Sequence, residues 1–117
     1  MDQFEQIIQE LRRQQETFSH AFMSLAKQVD DITWYHRVGD VAHVDKVYLY
    51  GPPPANTKAQ TAQDKGNPVK FWAYTFVPKS ADKSKKYPML VFPHGGVHSN
   101  FTANAANVVR ELIEQGY

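Results

Sequence analysis

The chain has 117 residues, 42% of them hydrophobic and 13% aromatic, enough for one small domain with a core and too apolar for wholesale disorder. A formal charge of +1 leaves no electrostatic footprint for nucleic acid or an anionic membrane surface, so neither is expected as a partner. The absence of cysteine excludes disulfides and thiolate chemistry.

The N-terminus, Met1-Asp2-Gln3-Phe4-Glu5-Gln6, is acidic and lacks the basic start and apolar block of a secretory signal. No apolar run approaches the ~20 residues that span a bilayer, and a cytoplasmic protein is expected. Residues 2–32 read as a helix, with apolar residues at Phe4, Ile8, Leu11, Phe18, Phe22, Leu25, Val29 and Ile32. The gaps are threes and fours, save where Gln15 occupies a stripe position, and such a stripe gives a helix one apolar face. Asp2 caps its start, and Glu5 three residues on completes a capping box. Two readings of the stripe stay open. It packs on its own domain, or it is a coiled-coil seam through which the chain forms a homo-oligomer. The expected division is an amphipathic helix over 1–33 and an incomplete α/β domain over 34–117.

Thr33 to Asp40 is aromatic and mixed, and Gly39 is expected to break it. Val44–Tyr50 alternates and is rich in β-formers, so it reads as a strand that Gly51-Pro52-Pro53-Pro54 stops. Residues 55–67 are small and polar and read as a surface loop. Val69–Val77 is the clearest strand, alternating and aromatic, and Pro78 ends it. After a charged turn, Met89-Leu90-Val91-Phe92 is an uninterrupted apolar run, as expected of a strand buried on both faces of a parallel sheet. Pro93-His94-Gly95-Gly96 then makes a tight turn, and Phe101–Gln115 reads as a helix with Gly116 as its C-cap. The fold class is therefore α/β: a long helix, antiparallel first strands, then buried strand, glycine turn and covering helix, which is half of a βαβ unit.

The chemistry concentrates in that turn. Glycines between a buried strand and a helix let backbone approach a ligand closely, and their N–H groups can face a developing oxyanion. In α/β-hydrolases one oxyanion donor comes from the loop after the third strand, and HGGG-type turns are one version of it. The stretch Lys85-Lys86-Tyr87-Pro88-Met89-Leu90-Val91-Phe92-Pro93-His94-Gly95-Gly96-Val97-His98 resembles the start of the catalytic domain in prolyl oligopeptidase-family serine peptidases. The likeness is closest to the acylaminoacyl-peptidase and dipeptidyl-aminopeptidase-like branch. Phe76-Val77-Pro78-Lys79 resembles the preceding strand end, and Arg110 to Tyr117 the first helix with the Gly-Tyr that introduces the next strand. The match covers residues 69–117; Trp34-Tyr35-His36 and Gly51-Pro52-Pro53 resemble the N-terminal extension of propeller-less relatives.

This resemblance implies an α/β-hydrolase that cleaves a peptide or ester substrate through an acyl-enzyme, without a cofactor. It implies that Gly96 supplies a backbone oxyanion donor and that Gly95 lets the turn form. His94 would orient the loop, Val97 stands where the family commonly has proline, and His98 would line the substrate side. No catalytic residue is expected within the chain. The serines are Ser19, Ser24, Ser80, Ser84 and Ser99, none of them in a Gly-x-Ser-x-Gly elbow, and in the family's order the triad lies beyond Tyr117.

Three other groupings are read as ordinary surface. His94, His98 and Ser99 share one turn, which rarely gives nucleophile, base and orienter their geometry. His36, Asp40, His43 and Asp45 match no metal-ligand spacing, so no metal is expected. Lys79, Lys83, Lys85 and Lys86 form a solvated turn diluted by Asp82, and Trp72 and Tyr74 are strand-face packing groups.

Overall fold

The computed structural model describes residues 2–51, 70–96 and 99–117. Helix α1 spans Gln3–Val38. Its start is set locally: the Asp2 carboxylate accepts from the Glu5 amide at 2.7 Å, and the Glu5 carboxylate accepts from the Asp2 amide at 3.2 Å. The helix runs six residues past the expected end at Ile32, through Trp34 and Val38, before Gly39 closes it.

Strand β1 (Ala42–Tyr50) and strand β2 (Lys70–Pro78) pair antiparallel, in a register that sets Ala42 opposite Pro78 and Tyr50 opposite Lys70. Both strands stand where alternation placed them. The segment 55–67 lies outside the described residues. Side chains alternate across the ladder, so Val44, Lys46, Tyr48, Trp72, Tyr74 and Phe76 share one face. Trp34 packs on that face, its ring 4.9 Å from Phe76 and 5.6 Å from Tyr74.

A single 3₁₀ turn (Ala103–Ala105) leads into helix α2 (Ala106–Glu114). α2 ends in a Schellman arrangement, with Gly116 N–H bonding Ile113 O at 3.0 Å and Tyr117 N–H bonding Leu112 O at 3.1 Å. Gln115 is the C-cap rather than Gly116; Gly116 lies one position beyond it with φ +99°, a conformation glycine adopts without steric cost, and ends the helix from there.

The buried core consists of Trp34, Val38, Ala42, Ala103, Ala106, Val109 and Ile113, drawn from the end of α1, the start of β1, the 3₁₀ turn and one face of α2. It lies at one end of an elongated molecule. The radius of gyration is 20.0 Å, where a compact domain of this length would have about 13 Å.

One expectation fails. Met89–Phe92 carries no strand pairing, and its residues are 87%, 44%, 76% and 44% exposed instead of buried. An apolar run becomes a buried strand only when strands flank it. The sheet of the described residues has two strands, β1 and β2, and they pair with each other. What the structure holds is therefore a mixed α/β arrangement: a long helix, an antiparallel pair and a short helix.

Candidate functional site

The glycine turn is held at its base by aromatic rings. Phe92 precedes it and meets Phe101 edge to face at 5.3 Å, while Phe101 stacks on Trp34 at 5.3 Å and 7°. Phe92, before the glycines, and Phe101, after them, are thus brought together beside Trp34. Gly96 has φ +82°, and a Cβ there would lie 3.2 Å from the Ser99 Cβ, so this position favours glycine twice over. Gly95 has open space around it and no positive φ, so the conformational demand of the turn falls on Gly96 rather than on Gly95. His94 is exposed, with Nδ1 3.3 Å from the Gly95 carbonyl oxygen, and among the described residues no carboxylate bonds its ring. The readings made for Val97 and His98 fall outside the described residues.

The segment that follows the turn, Phe101–Ala103, is fastened to α1 by polar contacts that sequence reasoning did not foresee. Lys27 Nζ donates to the Phe101 carbonyl at 3.1 Å, and the Ala103 amide donates to the Asp30 carboxylate at 2.8 Å. Arg37 donates to the Ala103 carbonyl at 3.2 Å. Each satisfies a backbone group that has no ladder to join, at the point where chain packs against Trp34.

Beside this clamp Asp31 gathers three groups. It accepts from Lys46 Nζ at 2.7 Å and from the Tyr74 hydroxyl, with Lys27 Nζ at 3.8 Å. Burial opposes the Asp31 charge, yet the hydrogen bonds from Lys46 and Tyr74 outweigh it and hold the carboxyl below its ordinary range. Burial, and then the bond to Asp31, push the Tyr74 hydroxyl upward, so it remains a donor. Lys46 also lies 5.1 Å from the Trp72 ring centroid, and Lys27 4.8 Å from that of Tyr74.

The remaining sequence candidates disperse. Asp40 receives both terminal nitrogens of Arg110 at 2.8 Å, and that bidentate pair lowers its carboxyl to about 2. Asp45 accepts from the neighbouring Lys46 amide at 2.9 Å. Among the described residues no three His, Cys, Asp or Glu side chains converge on a point that could hold a metal ion. Asp82 accepts from the Ser84 amide at 2.9 Å and hydroxyl at 2.7 Å, which ties the lysine-rich turn into a local Asx arrangement. Among the described residues no helix is long and apolar enough to cross a membrane.

Compared with known proteins, the chain matches no family model, no curated protein and no solved structure. The site therefore rests on its own geometry. One sequence signal would have found the clamp. Lys27, Asp30, Asp31, Trp34 and Val38 follow each other at helical spacing on a face distinct from the apolar stripe. Continuing that wheel past Ile32 would have joined Trp34 to the helix.

Proposed function

We propose that the chain is the leading part of an α/β-hydrolase of the prolyl oligopeptidase type and contributes the oxyanion-hole turn. The observation that carries this reading is Gly96: positive φ, at an exposed bend shortly after Phe92, whose ring meets Phe101 and through it Trp34. A fixed backbone N–H is worth a few kcal/mol to a tetrahedral oxyanion because it needs no reorganisation during reaction. The exposed apolar run Met89–Phe92 supports the reading too, since it has the composition of a sheet strand and no strand beside it among the described residues. The nucleophile, its base and the orienting acid would come from residues outside these 117. Cleavage of an ester by the same fold fits this half as well as cleavage of a peptide bond.

The test is covalent labelling. A fluorophosphonate probe added to the protein translated from its complete reading frame should modify a serine in a Gly-x-Ser-x-Gly elbow beyond Tyr117. Gly96→Ala, which moves the backbone donor, should lower kcat about 10²-fold in that protein. A complete reading frame without such an elbow, and without labelling, overturns the assignment.

A second reading, a non-catalytic helical self-association module, is favoured by a separate observation. Phe4, Leu11, Phe18, Phe22, Leu25 and Ile32 are all 59–74% exposed on α1.

A further inference from the structure

α1 is about 54 Å long at 1.5 Å per residue, yet every residue from Asp2 to Ala26 is exposed except the half-buried Ile8. From Phe4 to Ile32 a set of apolar residues keeps a strict period. Phe4, Leu11, Phe18, Leu25 and Ile32 are each seven apart, which makes them position a of five successive heptads. Positions d and e add Ile7, Ile8, Ala21, Phe22 and Val29. The fifteen a, d and e positions from Phe4 to His36 contain no Asp, Glu, Lys or Arg. The helix's charges sit at b, c, f and g, where Glu10 and Arg13 pair with each other at 2.6 Å.

The face that docks α1 on its own domain is a different one. Lys27, Asp30, Asp31, Trp34, Arg37 and Val38 occupy c, f and g positions, and they make the contacts with Phe101, Ala103, Lys46 and Tyr74. Ile32, in the same turns but at position a, stays 68% exposed. Among the described residues, docking to the domain thus leaves the seam exposed from Phe4 to Ile32, the half-buried Ile8 apart.

We infer that this seam is a self-association surface, occupied by α1 of a second copy of the chain. The inference develops the second reading above and is independent of the hydrolase reading. Three observations select that occupant. A strict seven-residue repeat drifts about 20° per heptad around a straight α-helix, so only a partner that supercoils with it can follow the stripe from Phe4 to Ile32. A flat sheet face that meets the stripe at Phe4 would be turned about 80° away from it four heptads later, at Ile32. An identical helix carries the same repeat, and two uncharged seams meet without burying an unpaired charge. The exposed apolar surface also suffices: the a, d and e side chains offer on the order of 1,000 Å² per helix, against the ~800 Å² per partner of a specific interface. A solitary helix that lacks tertiary packing is marginal in water, and the seam contact supplies what this stretch otherwise lacks.

Sedimentation velocity on the 117-residue chain, from about 1 to about 100 µM, tests the inference. The expected result is a mass at least twice that of the monomer in the upper part of that range. Phe18→Asp, at position a, should weaken association at least about a hundredfold, because a symmetric interface loses the side chain twice. Met23→Asp is the control. Met23 is 64% exposed on the same helix but at position f, and its replacement should leave association unchanged. A chain that stays monomeric to about 100 µM overturns the inference and assigns the seam to another partner or to further residues of the same protein. Equal losses from Phe18→Asp and Met23→Asp also overturn it, because association would then not run through the seam. Neither outcome bears on fluorophosphonate labelling, so failure of this inference and failure of the hydrolase reading remain distinguishable.

Discussion

The two ends of α1 are built from similar residues and lead different lives. Over the last twelve residues, Lys27–Val38, the helix places an aromatic and a valine into the core and surrounds them with hydrogen bonds to the Phe101 and Ala103 backbone and an ion pair with Lys46. Over the first two dozen, its phenylalanines and leucines lie 59–74% exposed. Hydrophobicity does not separate the two. What separates them is whether a second element lies within reach: β1, β2 and α2 all gather at the C-terminal end. Burial is a property of the neighbourhood, and a helix longer than its domain carries apolar surface beyond it.

The largest expected effect lies at the docked end. Trp34 is fully buried and touches Tyr74, Phe76 and Phe101, so Trp34→Ala should cost about 3–5 kcal/mol and unfold so small a core. Its indole Nε1 has no hydrogen-bond partner among the described residues. Trp34→Phe therefore removes no hydrogen bond and relieves an unsatisfied donor, and it should cost clearly less than Trp34→Ala. Urea denaturation of both variants checks the order. Equal costs would mean that the ring contacts are not what holds α1 to the sheet.

A smaller effect is expected at Asp31. Asp31→Asn keeps an oxygen for Tyr74 but removes the charge facing Lys46 and Lys27, and it should cost about 1 kcal/mol at neutral pH, since the group is partly solvated. The pH dependence follows from the sign of the shift. The folded-state pKa of Asp31 is depressed, so its stabilisation is complete above the unfolded value of about 3.9 and is lost as pH falls through the lower folded value. Asp40, held at about 2 by Arg110, contributes with the same sign in the same acid window. Urea midpoints measured between neutrality and acid should fall below about pH 4, and less steeply in Asp31→Asn than in the unaltered chain.

Much of this was readable beforehand, wherever short-range physics decides. The Asp2–Glu5 capping box needs only its own first turn, and Gly116 needs only the last turn of α2. β1 and β2 followed from alternation and β-branched or aromatic content, which also fixes which residues share a face. The end of α1 was not readable from the stripe, because the helix changes its buried face near Lys27 and the apolar period stops at Ile32 while the helix goes on to Val38. Met89–Phe92 was misread for a complementary reason. Composition marks a segment fit for a sheet, but pairing depends on flanking strands, and the two strands of the described residues pair with each other. At the turn, the glycine with the demanding conformation is Gly96, which was legible as a motif; the clamp beside it joins residues 66 to 74 positions apart, so helical spacing marks its α1 half while its partners at Phe101 and Ala103 have no sequence signal.

Hydrogen exchange followed by mass spectrometry compares the two ends of α1 directly, in one sample and along one helix. Amides in residues 30–38 should be protected to the stability of the core at every protein concentration. Those in residues 5–25 should exchange quickly in dilute protein and become protected as concentration rises and the seam fills. Protection that is uniform along α1 and independent of concentration would contradict the account, because it would mean that the exposed stretch needs no partner.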